Sequence, residues 1–110
     1  MLYTVELYCS STGRVIFREW VESLSDFNAV AIIHKRIDRV QMGSFGKIGA
    51  LKAGLWELKI DYGPGYRVYY AYAGKTAILV LCGGTKRTQD RDIAMARKYW
   101  ADYNDQGVER

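Results

Sequence analysis

Two kinds of hydrophobic spacing divide the first part of the chain. Across residues 2–8, apolar and polar positions alternate and β-forming residues dominate, which predicts a strand. From Arg14 onward the apolar positions instead recur at i, i+3, i+4 and i+7, the spacing of an amphipathic helix. The apolar stripe of this first helix consists of Phe17, Trp20, Val21 and Leu24.

A second helix is predicted after a very short connection. Ser25 and Asp26 interrupt the first stripe, and a side-chain oxygen at this point can cap a helix start by accepting a backbone N–H. The second stripe consists of Ala29, Ile33, Ile37 and Val40, and the opposite face carries Lys35, Arg36 and Arg39. Gly43 suits the position just after the helix end. Two helices joined so closely should form an antiparallel hairpin.

The rest of the pattern predicts strands and one last helix. Residues 44–54 contain three glycines and two lysines, so we expect a mobile loop there. Strand-like runs follow at residues 55–61, 66–73 and 77–82, separated by turns that contain glycine or proline. Thr88 is expected to cap a final helix, whose stripe consists of Ile93, Ala96, Trp100 and Tyr103. The order β-α-α-β-β-β-α predicts an α+β fold, in which the helical hairpin and the C-terminal helix pack on a mostly antiparallel sheet.

The composition is that of a globular protein. The chain has 110 residues, 49% hydrophobic and 25% charged, so we expect a single domain over residues 1–110. No apolar run approaches the ~18 residues of a membrane helix, and the N-terminus lacks the pattern of a signal peptide. Cys9 and Cys82 are too few for a disulfide framework or a zinc site. We therefore expect a cytoplasmic protein with no membrane partner, no metal and no other cofactor.

Positive charge is concentrated in the middle of the chain. The net charge is +4, but residues 35–98 carry thirteen Lys and Arg against five acids. Residues 1–34 and 99–110 each hold two more acidic than basic residues. A basic surface of this kind favours phosphates or an acidic protein as a partner, although extra lysines also serve solubility alone.

Strand alternation brings charged side chains together on one face of the predicted sheet. In residues 55–61 the even positions are apolar and should face the core, while the odd positions point the other way. With a tight turn into the next strand, Lys59 lies opposite Arg67 and Glu57 lies opposite Tyr69. Opposed cations repel each other, and a bound phosphate would relieve that repulsion. The alternative is that the carboxylates on this face neutralise it as ordinary solvated pairs.

A second candidate anion site lies at residues 83–88, where a predicted strand gives way to a helix. Free N–H groups at a helix start favour an anion, two glycines allow close backbone approach, and Lys86 and Arg87 add charge. The spacing differs from that of a nucleotide-binding P-loop. His34 is the only histidine and is expected in the core or at its boundary, so catalysis would depend on Lys, Arg, Tyr or carboxylates.

Several of these segments together resemble the RelE/HigB/ParE toxin superfamily, in particular its phage-like addiction module killer branch. The segments are Trp56-Glu57-Leu58-Lys59, Gly65-Tyr66-Arg67-Val68-Tyr69-Tyr70, Leu79-Val80-Leu81, Lys86-Arg87-Thr88-Gln89 and Ile93-Ala94-x-Ala96. The helix with Phe17, Trp20 and Leu24 fits the same branch, so the resemblance covers nearly the whole chain. One departure is Lys59, where many relatives have Arg, which keeps the charge but loses bidentate geometry.

The resemblance implies a RelE-like fold and a toxin of a type II toxin-antitoxin system, held inactive by a cognate antitoxin. RelE- and HigB-like members cleave mRNA in the ribosomal A site, so ribosome and mRNA would be partners. ParE-like members poison DNA gyrase without nuclease activity, and an inactive regulatory module is a further alternative, because fold alone does not decide function. A homodimer or a toxin-antitoxin hetero-oligomer would fit either activity.

The residues favour metal-independent RNA cleavage. Attack by a ribose 2′-OH on the adjacent phosphate needs a base, positive charge on the phosphoryl oxygens and a proton for the leaving oxygen. We expect Arg67 on the phosphate, Lys86 or Arg87 as a second clamp, Lys59 as phosphate ligand or base, and Tyr69 stacking or hydrogen bonding near the scissile step. The residues expected to bind RNA around this centre are Lys35, Arg36, Arg39, Lys47 and Lys52.

Overall fold

Five strands form one mixed sheet in a computed structural model that describes residues 1–108. The elements are β1 (Thr4–Leu7), α1 (Ile16–Ser23), α2 (Phe27–Gln41), β2 (Ile48–Ala50), β3 (Leu55–Ile60), β4 (Tyr66–Gly74), β5 (Ala77–Thr85) and α3 (Gln89–Val108). The strand order is β1-β5-β4-β3-β2; β1 runs parallel to β5 and the other neighbours are antiparallel. The predicted α+β fold is confirmed, with one short strand more than expected.

The sheet has a hydrophobic core on each face. On one face, α1 and α2 bury the predicted stripe residues Phe17, Val21, Ala29, Ile33 and Val40 against the sheet. On the other face, Ala96 of α3 packs with strand residues that include Leu55 and Leu79. The helical periodicity therefore identified the buried faces correctly.

Both ends of α2 are formed as the sequence predicts. The Asp26 carboxylate accepts hydrogen bonds from the backbone N–H groups of Asn28 and Ala29, at 2.9 and 3.2 Å. At the other end, Gly43 has a φ of +87° and its N–H bonds to the Val40 carbonyl. Asp26 and Gly43 thus satisfy backbone groups that the helix itself leaves free. His34, in the middle of α2, is exposed rather than at the core boundary.

The predicted mobile loop at residues 44–54 instead contains β2. Ile48 lies opposite Leu58 on β3, and Ala50 lies opposite Trp56. Backbone hydrogen bonds of 2.9 Å from Lys59 to Lys47, and of 2.8 Å from Leu51 to Leu55, flank this pairing. The glycine content of the segment pointed to a loop, but ladder bonds to a buried strand outweigh weak local β propensity.

The segment at residues 83–88 also differs from its prediction, because β5 continues through it as far as Thr85. A Cβ on Gly83 would lie 2.3 Å from the Trp20 ring, and one on Gly84 would lie 1.8 Å from an Asp92 carboxylate oxygen. The two glycines therefore allow α1 and α3 to pack closely on β5. They do not open the backbone to a ligand.

The helical segment after β5 is capped by Thr85 rather than by Thr88. Residues Lys86–Thr88 form a 3₁₀ turn that leads into α3, and Thr85 and Thr88 form a reciprocal capping box across it. The Thr88 hydroxyl also donates to the Asp92 carboxylate at 2.5 Å. Within residues 1–108, no helix combines the length and the apolar character needed to span a membrane.

Candidate functional site

The β3–β4 ladder places two cations opposite each other. Lys59 pairs with Arg67, and Glu57 pairs with Tyr69, which confirms the predicted register. Paired residues share a face of the sheet, so these four side chains lie on the face that carries α3. The register therefore creates a concentration of charge at one end of the sheet.

Glu57 is buried between the two cations. Its Oε1 lies 3.5 Å from Arg67 Nε and 3.9 Å from Lys59 Nζ, and the Glu57 and Arg67 side chains are each only 7% exposed. Arg67 Nη1 donates to its neighbour's carbonyl, that of Tyr66, at 3.0 Å, whereas Nε has no well-aligned acceptor in the described part of the chain. The Glu57 carboxylate is thus a buried counter-ion and not the solvated group that the alternative interpretation assumed.

Lys86 joins these side chains from the turn after β5. Its backbone N–H donates to the Gly65 carbonyl at 2.8 Å. Gly65 has a φ of +80°, and a Cβ there would lie 3.4 Å from Lys86 Cβ and 3.8 Å from Arg67 Nη1. We call Lys59, Arg67 and Lys86 the basic site. The strand register and this turn together bring its three members to one surface.

The cations around Asp61 lower the pKa of its carboxylate. Its carboxylate accepts a hydrogen bond from Lys47 at 2.9 Å. That hydrogen bond and the charge of Lys47 hold the pKa of Asp61 below its usual value, and the charges of Arg67 and Lys86 lower it further. The charges of the basic site therefore act on a carboxylate that lies beside it.

The backbone of the Lys86–Thr88 turn is less available to an anion than the sequence suggested. The N–H of Lys86 is bonded to the carbonyl of Gly65, and the N–H of Thr88 is held by the capping box. The Lys86 and Arg87 side chains are exposed. Binding of an anion at this turn would therefore come from the two side chains, with little contribution from the helix start.

Tyr69 is placed differently from what was expected. It is 0% exposed, and its hydroxyl finds no hydrogen-bond partner among residues 1–108. Burial, followed by the nearby charge of Glu57, raises the pKa of Tyr69. A fully buried ring cannot stack on a nucleobase, so Tyr69 supports the floor beneath the basic site in this conformation.

The expected RNA-binding residues separate into two groups. Exposed side chains are found at Lys35, Arg39, Lys47 and Lys52. Arg36 instead donates to the carbonyls of Lys59, Phe45 and Lys47, at 2.7, 2.8 and 3.0 Å. Burial, and then the charge of Arg39, lower the pKa of Arg36. Its guanidinium holds α2, the end of β3 and the segment before β2 together.

Two residues of the site were not singled out as functional from the sequence. Glu57 carried a signal, since an acid beside apolar residues in a buried strand needs a partner. Gly49 carried none, because its importance comes from the pairing of β2 with β3. A Cβ on Gly49 would lie 3.0 Å from Lys59 Cε, so the glycine leaves room for that side chain. In the described part of the chain, no group of three His, Cys, Asp or Glu is arranged to hold a metal ion.

Comparisons with known proteins give the family of this chain. The model of the family described as phage-derived protein Gp49-like (DUF891) matches residues 19–100, which include the whole basic site. An uncharacterized protein of Haemophilus influenzae is 44% identical over 81 residues, which cover 74% of this chain and 82% of that protein. The chain therefore belongs to the Gp49-like family of phage-derived proteins, which is an addiction-module killer family, and membership of it implies an antitoxin partner.

Proposed function

We propose that this protein is the toxin of a toxin-antitoxin pair and that it cleaves mRNA on the ribosome without a metal ion. The observation that carries the proposal is the basic site, in which Lys59 and Arg67 are opposed across two strands and Lys86 joins them. Glu57 offsets part of the repulsion between Lys59 and Arg67, but the site holds three cations against this one buried carboxylate and so keeps an excess of positive charge. A phosphodiester placed among the three side chains would be attracted by that excess charge.

Arg67 is suited to stabilise charge that develops during the reaction. Its side chain is 7% exposed and lies beside Glu57 at 3.5 Å, so its orientation is fixed before substrate arrives. A preorganised cation in a partly dry site stabilises a pentacoordinate phosphorane more than a mobile surface cation does.

Lys86 and Arg87 provide the more mobile part of the site. Both are exposed at the turn into α3, where they can follow the phosphate as its geometry changes. A lysine ammonium is also able to give a proton to the departing 5′ oxygen, which a guanidinium is not. We therefore assign Lys86 to the leaving-group side and Arg87 to a neighbouring phosphate.

Lys59 acts in this proposal as a phosphate ligand. Its side chain is 32% exposed and extends across Gly49 toward the open edge of the sheet. The three cations bind the phosphate but neither orient the attacking 2′-OH nor accept its proton, which passes to solvent water. The ribosome would supply that orientation, and positioning of this kind accounts for a large share of many rate enhancements.

The test is growth arrest combined with primer extension on cellular mRNA after induced expression. Lys86→Ala should relieve the arrest and remove the cleavage sites, because it takes away the proton donor for the leaving oxygen and one positive charge beside the phosphate without disturbing the buried charges. Lys75→Ala is the matched control; this lysine is exposed in the turn between β4 and β5 and should leave both readouts unchanged. Arrest with intact mRNA and damaged or abnormally supercoiled DNA would refute the proposal in favour of gyrase poisoning.

A further inference from the structure

The outer edge of β2 presents unpaired backbone groups. Within residues 1–108, β2 is the last strand of the sheet and pairs only with β3. Backbone bonds join Lys59 to Lys47 and Leu51 to Leu55, so the odd-numbered residues of this strand bond toward β3. In an antiparallel ladder the residues between them point their N–H and C=O groups away from the partner. The backbone of Ile48 and Ala50 therefore faces outward.

One face of this edge is apolar. Ile48 and Ala50 pair with Leu58 and Trp56, so all four lie on the α2 side of the sheet. Trp56 contacts Tyr72 edge-on at 6.2 Å between ring centroids. Ile48 is 37% and Tyr72 39% exposed, so an apolar strip across β2, β3 and β4 is partly open to solvent. An exposed apolar edge strand is a known template for pairing with another chain.

The opposite face of the same edge is cationic. Lys59 Nζ would lie 3.4 Å from a Cβ on Gly49, so the ammonium reaches over the edge strand itself. An added strand would lie about 4.8 Å beyond β2. A side chain on that strand opposite Gly49 would lie on the same face of the sheet as the Lys59 ammonium. The exposed Lys47 and Lys52 flank β2 at its two ends.

We propose that the edge of β2 docks an extended segment of the partner antitoxin in which apolar and acidic side chains alternate. The apolar side chains would continue the strip of Ile48 and Ala50, and a carboxylate opposite Gly49 would pair with Lys59. Main-chain bonds would supply affinity and the alternating side chains specificity. The effect of docking on activity rests on the proposed function: a carboxylate that pairs with Lys59 would remove one phosphate ligand from the nuclease site.

A second copy of the chain does not suit this edge. Pairing of two β2 strands would bring Lys47, Lys52 and Lys59 of both copies to one seam. Like charges on paired strands repel each other, whereas an acidic strand would be attracted to the same three lysines. The charge distribution thus selects a partner of opposite sign.

The direct test uses the full chain, labelled with ¹⁵N, and a synthetic peptide of sequence Glu-Val-Glu-Val-Glu-Val-Glu-Val-Glu. Amide hydrogen exchange at Ile48 or Ala50 should slow when the peptide is added, while exchange at Gly49, already bonded toward β3, should change little. A peptide with Lys in place of Glu should give no protection. Unchanged exchange at both outward amides with saturating acidic peptide would overturn strand addition at this edge.

Two variants separate edge pairing from a general effect of the peptide. Ala50→Pro removes an outward N–H, a substitution that edge strands tolerate, and should weaken binding by about tenfold, the value of one net hydrogen bond. Ile48→Asn should weaken it at least as much, because it removes an apolar contact without changing the charge, and it keeps the test valid if the proline variant fails to fold. Phe27→Asn, at an 84% exposed position on α2, is the control and should bind as the wild type does. Equal binding by all three would contradict the proposal.

The consequence for activity is measured separately on programmed ribosomes. The acidic peptide should inhibit cleavage by the wild type and should inhibit the Ile48→Asn variant about tenfold less. Protected amides without inhibition of an active nuclease would overturn the claim that the docked strand masks Lys59. Protected amides in a protein that cleaves no RNA would refute the proposed function and leave the docking site established.

Discussion

Breaking the buried pair of Glu57 and Arg67 should show how much of the site's charge is part of the fold. The two groups lie 3.5 Å apart, which corresponds to an attraction of about 5 kcal/mol at an effective dielectric constant near 20 and about 1 kcal/mol in water. Their burial places the expected coupling between these limits, at about 2 to 4 kcal/mol.

The structure also predicts which single substitution costs more. Glu57→Gln leaves Arg67 buried and directly opposed to Lys59, with no carboxylate between the two cations. Arg67→Met leaves Glu57 with a remaining cation at 3.9 Å, that of Lys59. We expect Glu57→Gln to cost about 3 to 5 kcal/mol, the usual range for orphaning a buried charge, and Arg67→Met to cost less.

The assay is urea unfolding of the wild type, both single variants and the double variant at neutral pH, with the free energy of unfolding from linear extrapolation. The double variant should be about 2 to 4 kcal/mol more stable than the sum of the single effects implies. Additive effects, with a coupling below about 0.5 kcal/mol, would refute the buried ion pair. Because Arg67 is part of the fold, loss of toxicity in an Arg67 variant does not by itself identify a catalytic role.

Further predictions concern individual side chains and the partner. In single-turnover assays across pH, Lys59→Arg should keep much of the cleavage rate and Lys59→Ala should lose about 10²-fold, because an anchor needs only a fixed charge. An equal loss of rate in both variants would instead identify Lys59 as a base. Gly84→Ala should lower the midpoint of thermal unfolding strongly, since its Cβ would lie 1.8 Å from a carboxylate oxygen of α3, while Gly74→Ala, with an ordinary 3.5 Å contact, should not. Thiol titration of the native protein should show a reactive Cys9 and a protected Cys82, because Cys9 is exposed and burial raises the pKa of the Cys82 thiol to about 12. Equal rates of modification at the two thiols would contradict this expectation. Raising salt should slow antitoxin association far more than it speeds dissociation, as electrostatic steering requires, and an association rate indifferent to salt would count against a charge-led interface.

Local sequence rules were sufficient for the elements with strong patterns. The stripe of Ala29, Ile33 and Val40 placed α2, and Asp26 placed its start. The register of β3 and β4 followed from the tight turn between them, because one turn fixes every later pair. The opposition of Lys59 and Arg67 could therefore be predicted from the residues alone.

The remaining features depend on contacts between distant segments. β2 exists because its backbone pairs with β3, and its composition alone points to a loop. Arg36 is read as a surface cation from its helical position, but the carbonyls it binds belong to segments 9 to 23 residues away. Tyr69 alternates with core residues along β4, and only the packing of α3 decides that its ring is covered. Sequence pattern predicts which face a side chain takes, and tertiary packing decides how deeply it is buried.

The most direct test of the central claim is cleavage of mRNA whose scissile A-site nucleotide carries a 2′-deoxy sugar. Purified protein is mixed with ribosomes programmed with either the ribose or the deoxyribose form of this message, in a single turnover. The account predicts cleavage of the ribose form, with a 2′,3′-cyclic phosphate and a 5′-OH at the break, and no cleavage of the deoxyribose form. Equal cleavage of both forms, or cleavage of neither by a protein that still arrests growth, would contradict the account.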